Sequence, residues 1–263
     1  LSRRDIVHCI YFLNSLDCFL PEQIDPRPHF QVDMTDFPFD AFIMSTCIVA
    51  AKYNMNSYQN ITENETSSLL LNCFGLLMRL YNTELLAISF SRIEPSVLIQ
   101  AFVLNDIPEA PLLFQPLDPL ANESLTFLYM TLFYQPNFSY IVSSLGHSNR
   151  FIFTLMEALQ ITYEQIGICY FHSIIVSSIL SLVSDENTCL FLDQPFNGIL
   201  RCKYQPNSGT YADVLLEFLF NLSDSNSSDF APAIVAVFQM IAPHIRFLSS
   251  FIAEKLIKLF IES

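Results

Sequence analysis

The stretch that decides the fold is 120–184, LANESLTFLYMTLFYQPNFSYIVSSLGHSNRFIFTLMEALQITYEQIGICYFHSIIVSSILSLVS. Apolar residues recur in it at intervals of three and four, which is the spacing of one face of an α-helix. The stretch divides into four helix-like runs, at 120–135, 136–146, 148–160 and 162–184. Because connections this short make consecutive helices antiparallel neighbours, the stretch predicts a packed helical array.

The same helical period extends over the rest of the chain and begins with an amphipathic helix near residues 3–19. No alternating apolar and polar run bounded by turn signals predicts a sheet. About twelve helices in antiparallel pairs over this length correspond to roughly 40 residues a pair, the size of a HEAT or armadillo unit. The predicted fold is therefore all-α, an irregular α-solenoid of HEAT- or armadillo-like helix pairs with long loops that contain proline and glycine.

One proline-rich stretch is the best candidate for a domain boundary. Residues 107–119, IPEAPLLFQPLDP, hold four prolines and predict a linker or a long surface loop. It separates an N-terminal helical part, 1–106, from a C-terminal helical part, 120–263. Both parts are equally apolar and no Gly/Ser linker joins them, so we expect them to pack as one continuous helical domain.

Charge and motif content exclude several functions. The net charge is −14, from 26 acids against 12 bases, and the bases do not cluster, which disfavours a nucleic-acid partner. The sequence lacks a P-loop, G-x-G-x-x-G, H-E-x-x-H, C-x-x-C and G-x-S-x-G. We therefore expect no enzymatic activity and no cofactor.

The number and spacing of the cysteines indicate the redox state of the cellular compartment. There are seven, an odd number, widely spaced and mostly within apolar runs, which is typical of free, buried thiols in a reducing compartment. Six N-x-[ST] sequons are a contrary signal, against roughly two expected by chance, and they leave a secreted glycoprotein as an alternative.

A membrane span is a further alternative. Residues 165–184 contain no Lys, Arg, Asp or Glu over 20 positions, about the length that crosses a bilayer. Gln165, His172 and the lack of a Lys/Arg flank favour instead a helix buried in a large helical protein. The 25 Phe and 11 Tyr similarly leave open a lipid-binding helical domain, although aromatic residues at helical spacing are more often core.

One pair of residues has the spacing of metal ligands. Cys169 and His172 lie three apart in a helix-like run, so both side chains can face one ion. A structural zinc site needs two more ligands, and Cys189 and Cys202 lie across a loop at unsuitable spacing. A core thiol and a core imidazole are the favoured interpretation.

An irregular segment, 191–218, interrupts the helices with the sequence FLDQPFNGILRCKYQPNSGTYADVLLEF. Thr210 and Asp213 have the [ST]-x-x-[DE] spacing of a capping box, in which each side chain accepts a hydrogen bond from the other residue's backbone N–H. Gly209 supplies backbone freedom just before it. The segment therefore predicts a long loop that returns to a sharply started helix.

Residues of the segment 191–218 also carry a resemblance to a known protein family. The residues concerned are Asp193, Gln194, Pro195, Phe196, Gly209, Thr210, Tyr211, Ala212, Asp213, Val214 and Leu215. In them the chain resembles the high-temperature-induced dauer-formation protein family of the dymeclin superfamily, over about residues 124–262. Gln194 stands where the family more commonly has Lys, and the chain starts at Leu1, so the family's N-terminal myristoylation glycine is not carried over.

The resemblance implies a peripheral protein on the cytosolic face of Golgi membranes. Such a protein acts in secretory trafficking and vesicle maturation through protein partners, without catalytic residues. Its membrane contact would be made by parts outside this chain. Within the chain, the residues that carry the resemblance include those whose spacing predicts the structural loop and helix cap.

Overall fold

The computed structural model describes residues 38–59, 64–79, 84–104, 112–116, 118, 120–206, 209–223 and 230–262. Within these residues the chain forms twelve α-helices and no strand, which confirms the predicted all-α class. One isolated antiparallel bridge joins Pro195 to Thr210. The helix predicted near residues 3–19 lies outside the described residues.

The chain divides into two compact units, Leu1–Pro136 and Asn137–Ser263. The described part of the first unit contains α1 (Phe39–Tyr58), α2 (Asn64–Arg79), α3 (Glu84–Arg92), α4 (Pro95–Phe102) and α5 (Ala121–Tyr134). That of the second contains α6 (Phe138–Ser144), α7 (Ser148–Ile166), α8 (Tyr170–Val183), α9 (Glu186–Leu192), α10 (Tyr211–Ser223), α11 (Ala231–Ile241) and α12 (Ser250–Glu262).

The core of the first unit is built around an aromatic cluster. In this unit α1 packs against α2, α3 and α4, while α5 packs against α2 and α3. The ring centroid of Phe127, on α5, lies 5.0 Å from that of Phe74, 5.3 Å from Phe102 and 6.2 Å from Phe90. Because α5 joins this cluster, the division between the units falls after Pro136, whereas the sequence placed the break in 107–119.

The described part of the proline-rich stretch packs into the first unit. Leu113 donates a backbone hydrogen bond to the Phe102 carbonyl at 3.0 Å. Phe114 is fully buried, with its ring centroid 6.0 Å from that of Phe102. Residues 112–116 are therefore anchored in the core, contrary to the surface loop that the prolines predicted.

Helix α7 is the centre of the second unit. It packs against α6, α8, α9 and α10, while α11 packs against α8, α9 and α10 and α12 packs against α10. The fully buried residues Phe151, Ile152, Leu155 and Leu159 recur along α7 at three and four positions. Because every residue over 154–161 is also buried, the middle of this helix is covered on all faces, as expected of a central helix.

The boundary between α7 and α8 differs from the prediction. The sequence predicted one helix over 162–184, but α7 continues to Ile166 and α8 begins at Tyr170. Between them Gly167 has a φ of 70°, a positive value that lies outside the helical range and favours glycine. The apolar segment 165–184 is therefore not one continuous helix.

The lengths of the helices bear on the membrane alternative. In the described ranges no single helix is both long and apolar enough to cross a bilayer. Two bent pairs, α3 with α4 at 94° and α8 with α9 at 108°, reach the necessary length and composition only when taken together.

Candidate functional site

The candidate site is the loop 193–210, called here the signature loop because it carries most of the family-like residues. Two backbone hydrogen bonds join its ends. Phe196 donates to the Gly209 carbonyl at 2.8 Å, and Tyr211 donates to the Gln194 carbonyl at 3.1 Å. The loop is therefore closed at its base, immediately before α10 begins.

The start of α10 contains both hydrogen bonds of the predicted capping box. Thr210 Oγ1 accepts from the Asp213 N–H at 3.2 Å, and Asp213 Oδ2 accepts from the Thr210 N–H at 2.9 Å. The other oxygen, Asp213 Oδ1, accepts from the Ser249 N–H at 2.8 Å, which ties the segment before α12 to the same point. A Cβ at Gly209 would overlap the Asp213 carboxylate, so small size explains the glycine better than the backbone freedom expected from the sequence.

Aromatic packing positions the first half of the loop. The ring centroid of Phe196 lies 5.0 Å from that of Tyr211 and 6.5 Å from that of Phe153 on α7. The Tyr211 hydroxyl donates to Asn197 Oδ1 at 2.8 Å. A Cβ at Gly198 would overlap the Phe153 ring, so only glycine allows the chain this close to α7.

A buried carboxylate on α7 holds the middle of the loop. Glu157 Oε1 accepts from the Arg201 backbone N–H at 2.7 Å, and both carboxylate oxygens accept from Arg201 Nε at 3.1 Å. The Glu157 side chain is 2% exposed and that of Arg201 is 46% exposed. A buried charge requires such a partner, because desolvation of an unpaired carboxylate is costly.

A second carboxylate, two turns further along α7, holds the next residues. Glu164 accepts from the Lys203 N–H at 2.8 Å, from the Tyr204 N–H at 2.7 Å and from Gln160 Nε2 at 3.1 Å. Burial alone would raise the pKa of Glu164, but these hydrogen bonds outweigh it, so the pKa lies below its ordinary value. The ionised form of Glu164 therefore stabilises this part of the loop.

Two further carboxylates, those of Glu217 and Asp193, accept hydrogen bonds from the loop and its surroundings. The Tyr204 hydroxyl donates to the buried Glu217 on α10. Burial and then this carboxylate raise the pKa of Tyr204 to about 12. At the start of the loop, Asp193 Oδ1 accepts from the Arg246 N–H at 2.7 Å. These acids accept hydrogen bonds from the loop and its surroundings, so their arrangement fixes loop geometry.

The sequence located only part of this site. It identified Asp193, Gln194, Pro195, Phe196, Gly209, Thr210, Tyr211 and Asp213, which lie at the joined ends of the loop. It missed the anchors Glu157, Glu164 and Glu217. Glu157 and Glu217 are single acids inside apolar helical runs, and this isolation was a usable signal, because a buried acid needs a partner.

Cys169 and His172 form a local helix cap. The Cys169 N–H donates to His172 Nδ1 at 3.1 Å, and Cys169 Sγ lies 3.4 Å from the same nitrogen. Burial lowers the pKa of His172, although the backbone carbonyls of Cys169 and Leu159 oppose that shift. Because Nδ1 accepts this hydrogen bond, its lone pair is occupied in starting α8.

The other two thiols considered as metal ligands lie in separate environments. Cys189 Sγ donates to the Val183 carbonyl at 3.0 Å, and Cys202 Sγ donates to the Tyr204 carbonyl at 3.1 Å. Burial, together with nearby carboxylates, raises the pKa of each thiol to about 11. Among the described residues, no group of three or more His, Cys, Asp or Glu side chains is arranged to hold a metal ion.

Comparison with family models, with curated proteins and with solved structures finds no match to this chain.

Proposed function

We propose that this chain is a non-enzymatic helical scaffold that acts in Golgi-associated secretory trafficking and vesicle maturation through protein partners. The observation that carries the proposal is the role of the family-like residues. They close the signature loop and start α10, through the Phe196 to Gly209 hydrogen bond and the Thr210 and Asp213 cap. A motif that fixes loop geometry suits a protein that works by presenting a surface.

The proposed mechanism uses an irregular α-solenoid of HEAT- or armadillo-like antiparallel helix pairs. Its support is the series of short connections in the second unit, where α6, α7, α8 and α9 follow one another with two or three residues between them. Stacked helix pairs of this kind give long binding surfaces for other proteins.

The proposed location is cytoplasmic, on the cytosolic face of Golgi membranes, with peripheral membrane contact made by parts outside this chain. The break at Gly167 supports a peripheral protein over a span at 165–184. Alkaline carbonate extraction of cell membranes tests this point. We expect the full-length protein in the supernatant, whereas retention in the pellet would favour the integral alternative.

A fluorescent fusion of the full-length protein tests the trafficking role. We expect overlap with Golgi and vesicle markers, and delayed release of a secreted reporter when the protein is depleted. A fusion that never overlaps these markers, in cells where the reporter is secreted at its normal rate after depletion, would refute the proposal.

A further inference from the structure

Helix α1 exposes a line of apolar side chains along one side. Met44 is 45% exposed, Ile48 is 68% exposed and Met55 is 44% exposed. With Ala41 and Ala51, the line recurs at intervals of three, four, three and four residues, which is the spacing of the seam between two packed helices. These five residues are called here the α1 stripe.

The stripe lies on a third side of α1, away from two sides that pack within the first unit. Ile43, Cys47 and Ala50 are buried in the core, and Phe42 and Val49 pack against α2. Because an α-helix turns by about 100° per residue, the stripe is about a third of a turn from each of these sides. In an antiparallel array, the preceding and the following helix flank a helix on different sides. Since α2 follows α1 and occupies one flank, the stripe is the place for a helix that precedes α1.

The sequence before α1 contains a segment with the matching pattern. An amphipathic helix is predicted near residues 3–19, where Ile6, Cys9, Leu13 and Leu16 recur at intervals of three, four and three residues. These residues lie outside the described part of the chain, so their pattern is read from the sequence. Two helices with the same apolar intervals interlock their side chains along one seam.

The connection between this segment and α1 is long enough for docking. It consists of the 19 residues 20–38, which span at most roughly 65 Å. Helix α1 has 20 residues and a length of about 30 Å, so the segment reaches any point of the stripe. Tethering also gives the segment an effective concentration on the order of a millimolar, which favours it over a free partner.

Charge favours the segment over a second copy of the chain. Residues 3–19 contain two Arg and two Asp, and with His8 neutral they carry no net charge. A second copy brings a net charge of −14 toward an equal charge, and the two copies repel each other.

We propose that the segment 3–19 docks as a helix on the α1 stripe and is the partner of that surface. Its apolar seam packs against Met44, Ile48 and Met55, which removes these side chains from water. The inference goes beyond the proposed function and does not rest on it. Because the occupant belongs to the same chain, the protein partners of the scaffold bind elsewhere.

Photo-cross-linking of the full chain tests the inference directly, because two residues of the stripe are methionines. Photo-methionine is incorporated at partial occupancy, and the cross-linked peptides are identified by mass spectrometry. We expect Met44 and Met55 to cross-link to peptides from residues 3–19. Met78, on α2 and 42% exposed, is the matched control and should not cross-link to them. A mixture of isotope-labelled and unlabelled chains separates cross-links within one chain from cross-links between two chains.

Thiol labelling gives a second, quantitative measurement. Ile48→Cys should react with a maleimide about tenfold or more slowly than Phe133→Cys, a control on α5 at a position that is 59% exposed. Adding Leu13→Asp, in the seam of the segment, to Ile48→Cys should restore the fast rate. Ser15→Asp, on the opposite side of the predicted helix, should leave the slow rate unchanged.

Several results would overturn the inference. They are equal labelling of the two cysteine variants, equal effects of the two aspartate variants, and cross-links from the stripe that miss residues 3–19 or that join two chains. Cys47 and Cys73 are buried native thiols, so their labelling would reveal that a variant has unfolded the first unit. In that case the cross-links of the wild-type chain decide.

Discussion

Two irregular segments of this chain are held in place by different forces. In the first unit, residues 112–116 are anchored by apolar burial, with Leu112, Leu113 and Phe114 almost entirely removed from solvent. In the second, the signature loop is anchored by carboxylates that accept hydrogen bonds from its backbone.

The acceptors of the backbone N–H groups explain the difference. In the first segment Leu113 donates to the Phe102 carbonyl and Gln115 donates to the Leu112 carbonyl, so backbone groups satisfy these donors. In the signature loop the N–H groups of Arg201, Lys203 and Tyr204 donate to side-chain carboxylates instead of backbone carbonyls. Where the chain folds against helices without a sheet, side-chain acceptors must replace the missing strand, and acids on α7 and α10 do so.

The largest effect is expected from the apolar anchor. Phe114→Ala should destabilise the protein by about 3–5 kcal/mol, because it removes a fully buried ring and leaves a cavity. Phe133→Ala is the control, since Phe133 is 59% exposed, and it should cost less than about 1 kcal/mol. Urea unfolding at pH 7 measures both, and equal losses would show that 112–116 is not anchored through this ring.

The carboxylate anchor should give the next largest effect. Glu157→Ala leaves the Arg201 backbone N–H and guanidinium without their acceptor. A fully buried pair typically costs 3–5 kcal/mol to break, but Arg201 is 46% exposed and regains water, so we expect about 2–3 kcal/mol.

The control for this change is Glu254→Ala, on the exposed side of α12, which should stay within about 0.5 kcal/mol of wild type. If urea unfolding gives the two alanine variants the same stability, Glu157 does not hold the loop.

The helix cap should give a smaller effect. Thr210→Ala removes the acceptor of the Asp213 N–H and should cost about 1 kcal/mol. For a chain of this size that lowers the melting temperature by roughly 2–4 °C. Thr210→Ser keeps the hydroxyl and should melt within error of the wild type. An alanine variant that melts with the serine variant would refute the capping role.

The cap could be predicted from the sequence because it depends on neighbours. Thr210 and Asp213 are three residues apart, and any chain that starts a helix there brings them together. The all-α class was predictable for the same reason, since the helical period is read within each run. Gly167 lies inside the run 162–184, but local periodicity does not distinguish a glycine within a helix from one whose positive φ ends it.

The carboxylate anchors and the division between the units could not be predicted, because they depend on contacts between residues far apart in the sequence. Glu157 and Arg201 are 44 positions apart, and nothing in their local spacing pairs them. Phe127 follows the proline-rich stretch in sequence yet packs on Phe74 and Phe102, so the division between units could not be read from composition. Local periodicity specifies elements, whereas tertiary packing decides which elements share a core.

The smallest expected effect is the pH dependence of the stability that Glu164 contributes. This dependence separates the carboxylate anchor from the apolar anchor. Burial alone would raise the pKa of Glu164, but the hydrogen bonds from Tyr204, Lys203 and Gln160 together lower it below its ordinary 4.5. A lowered folded-state pKa means that Glu164 contributes stability above pH 4.5, and that this contribution is lost as the pH falls through the folded-state pKa. Glu164→Gln cannot titrate, so its free energy of unfolding should fall less steeply than that of the wild type as the pH is lowered below 4.5. Glu254→Gln, at an exposed site, should keep the wild-type slope.

The loss of stability in Phe114→Ala should stay constant over the same pH range, because an apolar anchor binds no proton. If Glu164→Gln keeps the full slope in urea titrations, the acid sensitivity arises elsewhere and Glu164 is not an ionised anchor of the loop.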